Sequence, residues 1–181
     1  MPEPPDPSLR DLELVRLFQS GERAAFDRLV EAHRRDVYRL AYRLVGNHAD
    51  ADDLAQEAFL RVYRSLGRFR GESSFRTWLT RIVLNLATDR RRILATRRDA
   101  PLEEVPDLEQ PAPADRLGFL RQEQIRKAVG QLPRRQRETL ILRVFQEMKF
   151  HEIARVMGCT VGTAKANFFH AVRGLKQRVG G

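Results

Sequence analysis

The feature that most restricts the fold of this 181-residue sequence is the placement of its prolines. Eight of the nine prolines fall in two short stretches, four within residues 2–7 and four at Pro101, Pro106, Pro111 and Pro113. Proline interrupts helix interiors because it lacks an amide proton and clashes with the preceding turn. The two stretches are therefore predicted to be a tail and a linker, which leaves two blocks of sequence for folded domains.

Apolar residues in these blocks recur with a helical period. The clearest sets are Val37, Leu40, Ala41, Leu44; Phe59, Val62, Tyr63, Leu66; and Leu79, Ile82, Val83, Leu86. No segment shows sustained two-residue alternation. The sequence predicts an all-α fold of two helical domains joined by a flexible acidic linker. The predicted ranges are 1–10 for a disordered tail, 11–97 for the first domain, 98–117 for the linker and 118–179 for the second domain.

The charged residues are distributed unevenly between the two predicted domains and the predicted linker. Residues 61–98 carry eleven bases and two acids, and residues 116–181 carry fourteen bases and four acids. Between them, residues 99–115 carry six acids and no base. Basic blocks favour polyanionic partners, because neutralised phosphates release counterions. Two basic blocks around an acidic spacer predict two separate contacts with nucleic acid.

Other properties narrow the cellular context. The single cysteine, Cys159, cannot form an internal disulfide, and the N-terminus lacks the basic and apolar regions of a signal peptide. No apolar run approaches the length of a membrane span. We therefore expect a cytoplasmic protein with no membrane insertion.

Residues 150–170 have a pattern typical of a helix-turn-helix. The small Ala154 lets a second helix pack closely, Gly158 supplies the turn, and Thr160 is the predicted N-cap of the second helix. That helix would enter the major groove. An ordinary helical hairpin would also fit the pattern, but the surrounding positive charge favours DNA. The predicted contacts of this motif with DNA are Arg155, Thr160, Thr163, Lys165, Ala166, Asn167 and Arg173.

Several motifs together resemble those of the extracytoplasmic-function sigma factors. They are Asp52 to Glu57 (DDLAQE), Phe69 to Leu79 (FRGESSFRTWL), Leu132 to Glu138 (LPRRQRE), Glu152 to Ala154 (EIA) and Val161 to Lys165 (VGTAK). They occur in the family's order, and the resemblance runs from about residue 12 to residue 178. It implies a factor that binds RNA polymerase core, directs it to promoter DNA and melts that DNA. It implies no cofactor, and commonly an anti-sigma factor as a further partner.

The resemblance places the contact with core polymerase on the helix that follows Asp52. The implied residues are Asp53, Leu54, Gln56, Glu57, Leu60 and Arg64. Residue spacing puts all of these except Leu54 on one helical stripe. Without the resemblance, the acids would be read as a solvated face that complements the dipole at the start of the helix.

The second implied interface binds the minus-ten element as a single strand with one base flipped out. Its residues are Phe69, Arg70, Gly71, Glu72, Ser73, Ser74, Arg76, Arg81, Asn85, Thr88, Arg91 and Arg92. Asparagine can pair with a base edge and arginine with phosphate. Phe75, Trp78 and Leu79 are expected to be core residues. The acidic linker has two interpretations. It is either only a soluble tether, or, as in the family, a segment that enters the polymerase channels, where its six acids would imitate the path of a nucleic acid.

Two other functions are compatible with parts of the sequence. An enzyme would need a catalytic cluster, and Asp50, Asp52, Asp53 and Glu57 are the only set that could hold Mg²⁺ for nuclease chemistry. No second carboxylate cluster accompanies them, so no catalytic residue, no metal site and no enzymatic activity are predicted. An operator-binding regulator that never touches polymerase would need only the second domain. The sequence also departs from the family at Ala166 and Asn167, where a Ser-Arg pair is frequent.

Overall fold

The computed structural model describes residues 7–97, 124–125 and 127–179. The helices with defined bounds are α1 (Pro7–Gln19), α2 (Ala24–Val45), α3 (His48–Ser65), α4 (Phe75–Arg97), α5 (Arg134–Val144), α6 (Phe150–Met157) and α7 (Val161–Val179). A short 3₁₀ helix, Leu66–Arg68, follows α3. The described residues contain no strand, and the predicted all-α fold is confirmed. The predicted linker, 98–117, lies outside the described residues.

The first domain is built from α1 to α4. The apolar set predicted on α2 is buried, from Val37 at 4% exposure to Ala41 at 0%. A left-handed glycine, Gly46 (φ 95°), ends α2, and Asn47 begins α3 by accepting a hydrogen bond from the Asp50 amide at 2.8 Å. These two residues set the sharp reversal that packs α3 against α2.

Helix α1 begins at Pro7, inside the stretch predicted as a tail. Proline is tolerated in a first helical turn because its missing amide proton has no partner there. The helix is held to α2 by a hydrogen bond between His33 Nε2 and Asp11 Oδ2 at 2.9 Å, and both side chains are largely buried. Leu14 and Val15 complete its buried face.

The second domain contains α5, α6 and α7. Pro133 is the N-cap residue of α5. Its carbonyl accepts from the amides of Gln136 and Arg137. Leu132 and Leu140 pack with Ala171 of α7 in a small second core.

The two domains lie against each other. Helix α4 of the first domain contacts α6, and α2 contacts α5. Ile141, Leu142, Met148 and Ile153 of the second domain belong to the same buried apolar cluster as the first-domain core. This packing, which no sequence pattern indicated, brings several of the predicted DNA-binding residues to the interface between domains.

Candidate polymerase and nucleic-acid interfaces

The predicted polymerase-binding stripe lies on the outer face of α3. Asp53, Gln56, Glu57, Leu60 and Arg64 are all exposed, whereas Leu54 is only 1% exposed and belongs to the core. The Leu54 side chain is therefore not available to a partner, and its role is packing. Leu60, at 57% exposure, is the apolar centre of the stripe. An exposed leucine among charged side chains is suited to a protein interface.

Two of the acids on α3 are joined to α4 by an arginine. Arg90 Nη2 lies 2.5 Å from Asp50 Oδ1 and 3.2 Å from Asp53 Oδ2. Two of the four possible magnesium ligands, Asp50 and Asp53, are thus paired with a cation. Arg90 also ties the predicted polymerase-binding helix to the predicted DNA-binding helix, a connection that the motifs did not reveal.

Tyr63 extends the apolar part of the α3 surface. The sequence placed it in a core stripe, but it is 40% exposed. Its ring packs edge-on against Phe18 of α1 and Phe26 of α2, with centroids 5.4 and 5.0 Å apart. The three rings fix the positions of α1, α2 and α3 beside the stripe. The helical period alone could not show this, because Tyr63 lies at the edge of the apolar face.

The predicted minus-ten loop, residues 69–74, is anchored at both ends. The half-buried Phe69 ring packs on Trp78 at 5.0 Å and edge-on against Phe75 at 6.3 Å. At the other end the Ser74 hydroxyl accepts from the Thr77 amide at 3.2 Å, which caps the start of α4. Phe75 is fully buried and Trp78 half-buried, as expected for core residues.

Between these anchors the loop is largely exposed to solvent. Arg70, Gly71 and Glu72 are exposed, and Ser73 is half-buried. Gly71 has φ 72°, a left-handed conformation that favours glycine. Gln19 of α1 holds the start of the loop in place, because its Nε2 donates to the carbonyls of Leu66 at 3.1 Å and Phe69 at 3.0 Å. No motif included Gln19.

The polar face of α4 is divided between exposed and engaged residues. Arg81, Asn85 and Arg92 are exposed, as the predicted stripe requires. Thr88 is half-buried, and its hydroxyl donates to the Leu84 carbonyl at 2.9 Å. Arg91 is turned inward and donates to the carbonyl of Leu44 near the end of α2. In this arrangement Arg91 supports the packing of α2 on α4 and does not face solvent freely.

The helix-turn-helix has the predicted geometry. Gly158 (φ 61°) ends α6, and the Thr160 hydroxyl accepts from the Thr163 amide at 3.1 Å, as expected of an N-cap. Ala154 is buried and Cys159 packs against the core from the turn. Glu152 accepts from the Lys149 amide at 2.7 Å and caps the start of α6. The turn and both caps thus follow from local residue chemistry.

The start of α7 presents the predicted readers to solvent. Thr160, Thr163, Lys165, Ala166 and Arg173 are exposed, and Asn167 is half-exposed. Arg155 of α6 is also exposed, but its Nη1 donates to the carbonyl of Glu72 in the minus-ten loop at 3.4 Å. The structure therefore brings the two predicted DNA-binding regions together at one point.

Comparison with known proteins decides the family. The model of Sigma-70 region 2 matches residues 29–97, and that of Sigma-70 region 4 matches residues 122–175. The RNA polymerase sigma-H factor of Pseudomonas aeruginosa is 36% identical over 179 residues, covering 90% of each chain. The ECF RNA polymerase sigma-E factor of Escherichia coli K12 is 32% identical over 185 residues, covering 94% of this chain and 95% of that protein. This chain belongs to the extracytoplasmic-function sigma factors.

Solved structures agree with this membership. CnrH, in its complex with the cytosolic domain of CnrY, has a TM-score of 0.71 and 25% identity, covering 93% of this sigma factor and 96% of CnrH. The fold is also that of the sigma factor RpoE from Bartonella quintana, solved with the anti-sigma factor NepR, with a TM-score of 0.70 at 22% identity and coverage of 85% and 96%. No helix in the described part of the sigma factor is long and apolar enough to cross a membrane.

Membership in the family confirms the function predicted from the motif series. A sigma factor is a transcription initiation factor. The alternative function, an operator-binding regulator, would require only the second domain. Both sigma regions match here, so that alternative loses its support. The family is one of initiation factors and not of known enzymes.

Proposed function

We propose that this sigma factor uses the exposed α3 stripe to bind RNA polymerase core in the cytoplasm. The stripe consists of Asp53, Gln56, Glu57, Leu60 and Arg64. Its mixture of acidic and apolar groups suits a protein partner and would repel the phosphates of DNA. The observation that carries this assignment is the joint exposure of Leu60 and the acids Asp53 and Glu57 on the segment that resembles the family's polymerase-binding helix.

The promoter contacts are assigned to the basic and polar faces of the two domains. The loop of residues 69–74 and the exposed side chains of α4 would hold the minus-ten strand, with Asn85 placed to pair with a base edge. The start of α7 would enter the major groove of the minus-thirty-five element. We place the first domain at 11–97 and the second at 118–179, and we include an anti-sigma factor among the partners. We infer no catalytic step for the chain itself.

Run-off transcription tests this assignment. Purified sigma factor and core polymerase are combined on DNA taken from upstream of its own gene. We expect specific initiation that core alone does not give, and at least a tenfold loss of transcript with Asp53→Ala plus Glu57→Ala, because about 1.4 kcal/mol of lost binding lowers affinity tenfold. The matched control, Glu31→Ala plus Asp36→Ala, removes two exposed acids on α2, outside the stripe, and should leave the transcript unchanged.

The experiment has a clear contrary result. Full transcription by the Asp53→Ala, Glu57→Ala protein would remove α3 from the polymerase interface. Core binding measured by size-exclusion chromatography separates this result from a promoter that is simply wrong, because the second case leaves the complex intact. Tight binding to duplex DNA with no association with core would contradict the proposed function as a whole.

A further inference from the structure

The start of the minus-ten loop is held by a residue that lies outside the five family-like motifs. Gln19 is the last residue of α1, fifty positions before Phe69. Its Nε2 donates to Leu66 O at 3.1 Å and to Phe69 O at 3.0 Å. A primary amide nitrogen has two hydrogens, so both bonds can form at once. One side chain thus binds the first residue and the C-cap of the short 3₁₀ helix that leads into the loop.

The bond to Phe69 sets the direction in which the loop leaves the domain. The Phe69 carbonyl shares a rigid peptide plane with the amide of Arg70, so a bond that holds the oxygen also holds that plane. The Phe69 ring is held as well, by Trp78 at 5.0 Å and Phe75 at 6.3 Å. The exposed Arg70 therefore follows a residue that is fixed through both its backbone and its side chain.

Gln19 can restrain the loop because its own helix is fixed. The ring of the adjacent Phe18 packs against Phe26 and Tyr63, with centroids 6.0 and 5.4 Å apart. One turn earlier, Leu14 is buried in the core of the first domain. A hydrogen bond from such a helix limits the movement of the loop, whereas a bond from a loose segment would move with it.

The two hydrogen bonds matter more for the position of the loop than for the stability of the domain. The Gln19 residue is exposed, and water can replace either partner of an exposed hydrogen bond, which leaves a small net contribution to folding. The core beneath the loop is formed by other residues, because Leu66 and Phe75 are both fully buried. Loss of the Gln19 amide should therefore leave a folded domain with a less restrained loop.

We propose that Gln19 is a positioning residue for promoter melting, which holds the minus-ten loop in the conformation that receives the single strand and its flipped base. The inference rests on the proposed role of residues 69–74 in binding the minus-ten element. Flipping a base costs unstacking energy, and a loop that is ordered in advance does not add the cost of its own ordering. Gln19 contacts no nucleotide in this role and acts through the backbone of Phe69.

Holoenzymes made with Gln19→Ala and Gln19→Glu test this role in transcription. Alanine removes the donor, and an ionised glutamate keeps the shape but can only accept, so neither can bind the two carbonyls. The DNA is a promoter fragment that supports run-off transcription by the parent, and permanganate reactivity of unpaired thymines measures its melting. We expect both variants to reduce melting and to bind the minus-ten single strand of that promoter about tenfold more weakly, which corresponds to about 1.4 kcal/mol.

Two further affinities separate positioning from a general loss of structure. Binding of core polymerase depends on the proposed α3 stripe, and binding of the holoenzyme to minus-thirty-five duplex depends on α7. Both affinities should stay within about twofold of the parent, because substitution of an exposed residue has a small effect on the fold. The urea midpoint of each free variant checks that the domain remains folded.

Trypsin digestion of the full chain, without DNA, reports on the loop itself. Arg70 is exposed within the loop, and Arg35 is an exposed reference site on α2. Loss of the Gln19 bonds should raise the rate of cleavage after Arg70 by about threefold or more, because cleavage follows the population of locally opened chain. Cleavage after Arg35, which requires α2 to unfold, should not change.

Matched controls account for truncation and for charge. Glu13→Ala shortens another exposed side chain of α1. Ala32→Glu adds the same negative charge as Gln19→Glu, at an exposed position of α2 outside the proposed sites. Both controls should behave like the parent in melting, strand affinity and cleavage after Arg70.

Three results would overturn the inference. The first is melting and strand affinity at the level of the parent in Gln19→Ala. The second is an equal loss of core, minus-thirty-five and single-strand affinity, which would make Gln19 only a stabilising residue. The third is reduced melting without faster cleavage after Arg70, which would mean that Gln19 acts by a direct contact and not through the loop. Failure of the proposed function is distinct from all three, because the parent itself would then neither bind core nor give a transcript.

Discussion

At the scale of single residues, the α3 helix shows how one motif combines two functions. Leu54 and Leu60 both belong to the segment that resembles the family's polymerase-binding helix. They are six residues apart, which places them roughly 120° apart around a helix with 3.6 residues per turn and so on different faces. Leu54 is 1% exposed and Leu60 is 57% exposed. The motif therefore contains one residue that stabilises the domain and another that is free to bind a partner.

This separation gives a paired prediction. Leu54→Ala should lower the free energy of unfolding by about 2–5 kcal/mol, because it leaves a cavity in a packed core. Leu60→Ala should change it by less than about 0.5 kcal/mol, because the side chain is already in water. Leu60→Ala should instead weaken binding to core polymerase by about tenfold, if it loses the 1–2 kcal/mol typical of a significant interface residue.

Urea denaturation and a core-binding assay on the same two proteins provide the measurements. The two variants serve as controls for each other, since both replace a leucine by an alanine and remove the same atoms. Equal losses of stability in both would show that Leu60 packs against the protein in solution. Normal core affinity for folded Leu60→Ala would remove this residue from the interface.

At the scale of secondary-structure elements, the sequence predicted the parts that local chemistry controls. The prediction of the helix-turn-helix was correct, including Thr160 as the N-cap. A cap can be predicted from sequence because it depends on one hydroxyl and on amides two or three residues away. The buried faces of α2 and α4 followed from their period. Tyr63 and Arg91 could not be placed this way, because their environments depend on α1 and on the end of α2. Helix α1 also starts at Pro7, earlier than the predicted domain boundary, because proline is excluded from helix interiors but tolerated in a first turn.

The cap of the recognition helix is a test at this scale. Thr160→Ala removes the hydroxyl that accepts from the Thr163 amide at 3.1 Å. We expect a loss of about 1 kcal/mol in stability, as is typical when a threonine cap is replaced by alanine. Binding to minus-thirty-five duplex DNA by the holoenzyme should also weaken, because the first turn of α7 carries the predicted readers.

Thr160→Ser is the matched control, because it keeps the hydroxyl and loses only a methyl group. It should retain most of both stability and DNA binding, measured by thermal unfolding and by fluorescence anisotropy. If Thr160→Ser behaves like Thr160→Ala, the methyl group and not the cap is the important feature.

At the scale of the whole molecule, the arrangement of the two domains lay beyond the reach of the sequence. Each domain has its own sequence pattern, and neither pattern specifies where the other domain lies. The contact depends on Arg76, Arg134 and Arg155 meeting neutral acceptors more than forty positions away in the chain. No period or motif encodes such distant pairs. Regional charge predicted two basic surfaces, but it could not predict that they would face each other.

Glu138 is the buried carboxylate of this region, at 3% exposure, and it makes stability depend on pH. Burial raises the pKa of Glu138, although the nearby arginines, first Arg134, act in the opposite direction. A raised pKa in the folded state means that the protonated form is favoured by folding. The contribution of this group is therefore fully present below its unfolded-state pKa, and it is lost as pH rises through the higher folded-state value.

Glu138→Gln removes this dependence, because glutamine resembles the protonated acid at every pH. We expect the variant to gain stability relative to the parent between pH 4.5 and pH 7.5, as the parent loses the contribution of Glu138. Urea midpoints of both proteins at the two pH values measure the change, and Glu147→Gln, at an exposed carboxyl of the same domain, controls for the loss of one negative charge. If the variant instead becomes relatively less stable towards pH 7.5, the ionised carboxylate contributes more by neutralising the surrounding arginines than it costs through burial. That outcome would make Glu138 the counter-charge that allows the basic faces of the two domains to approach each other.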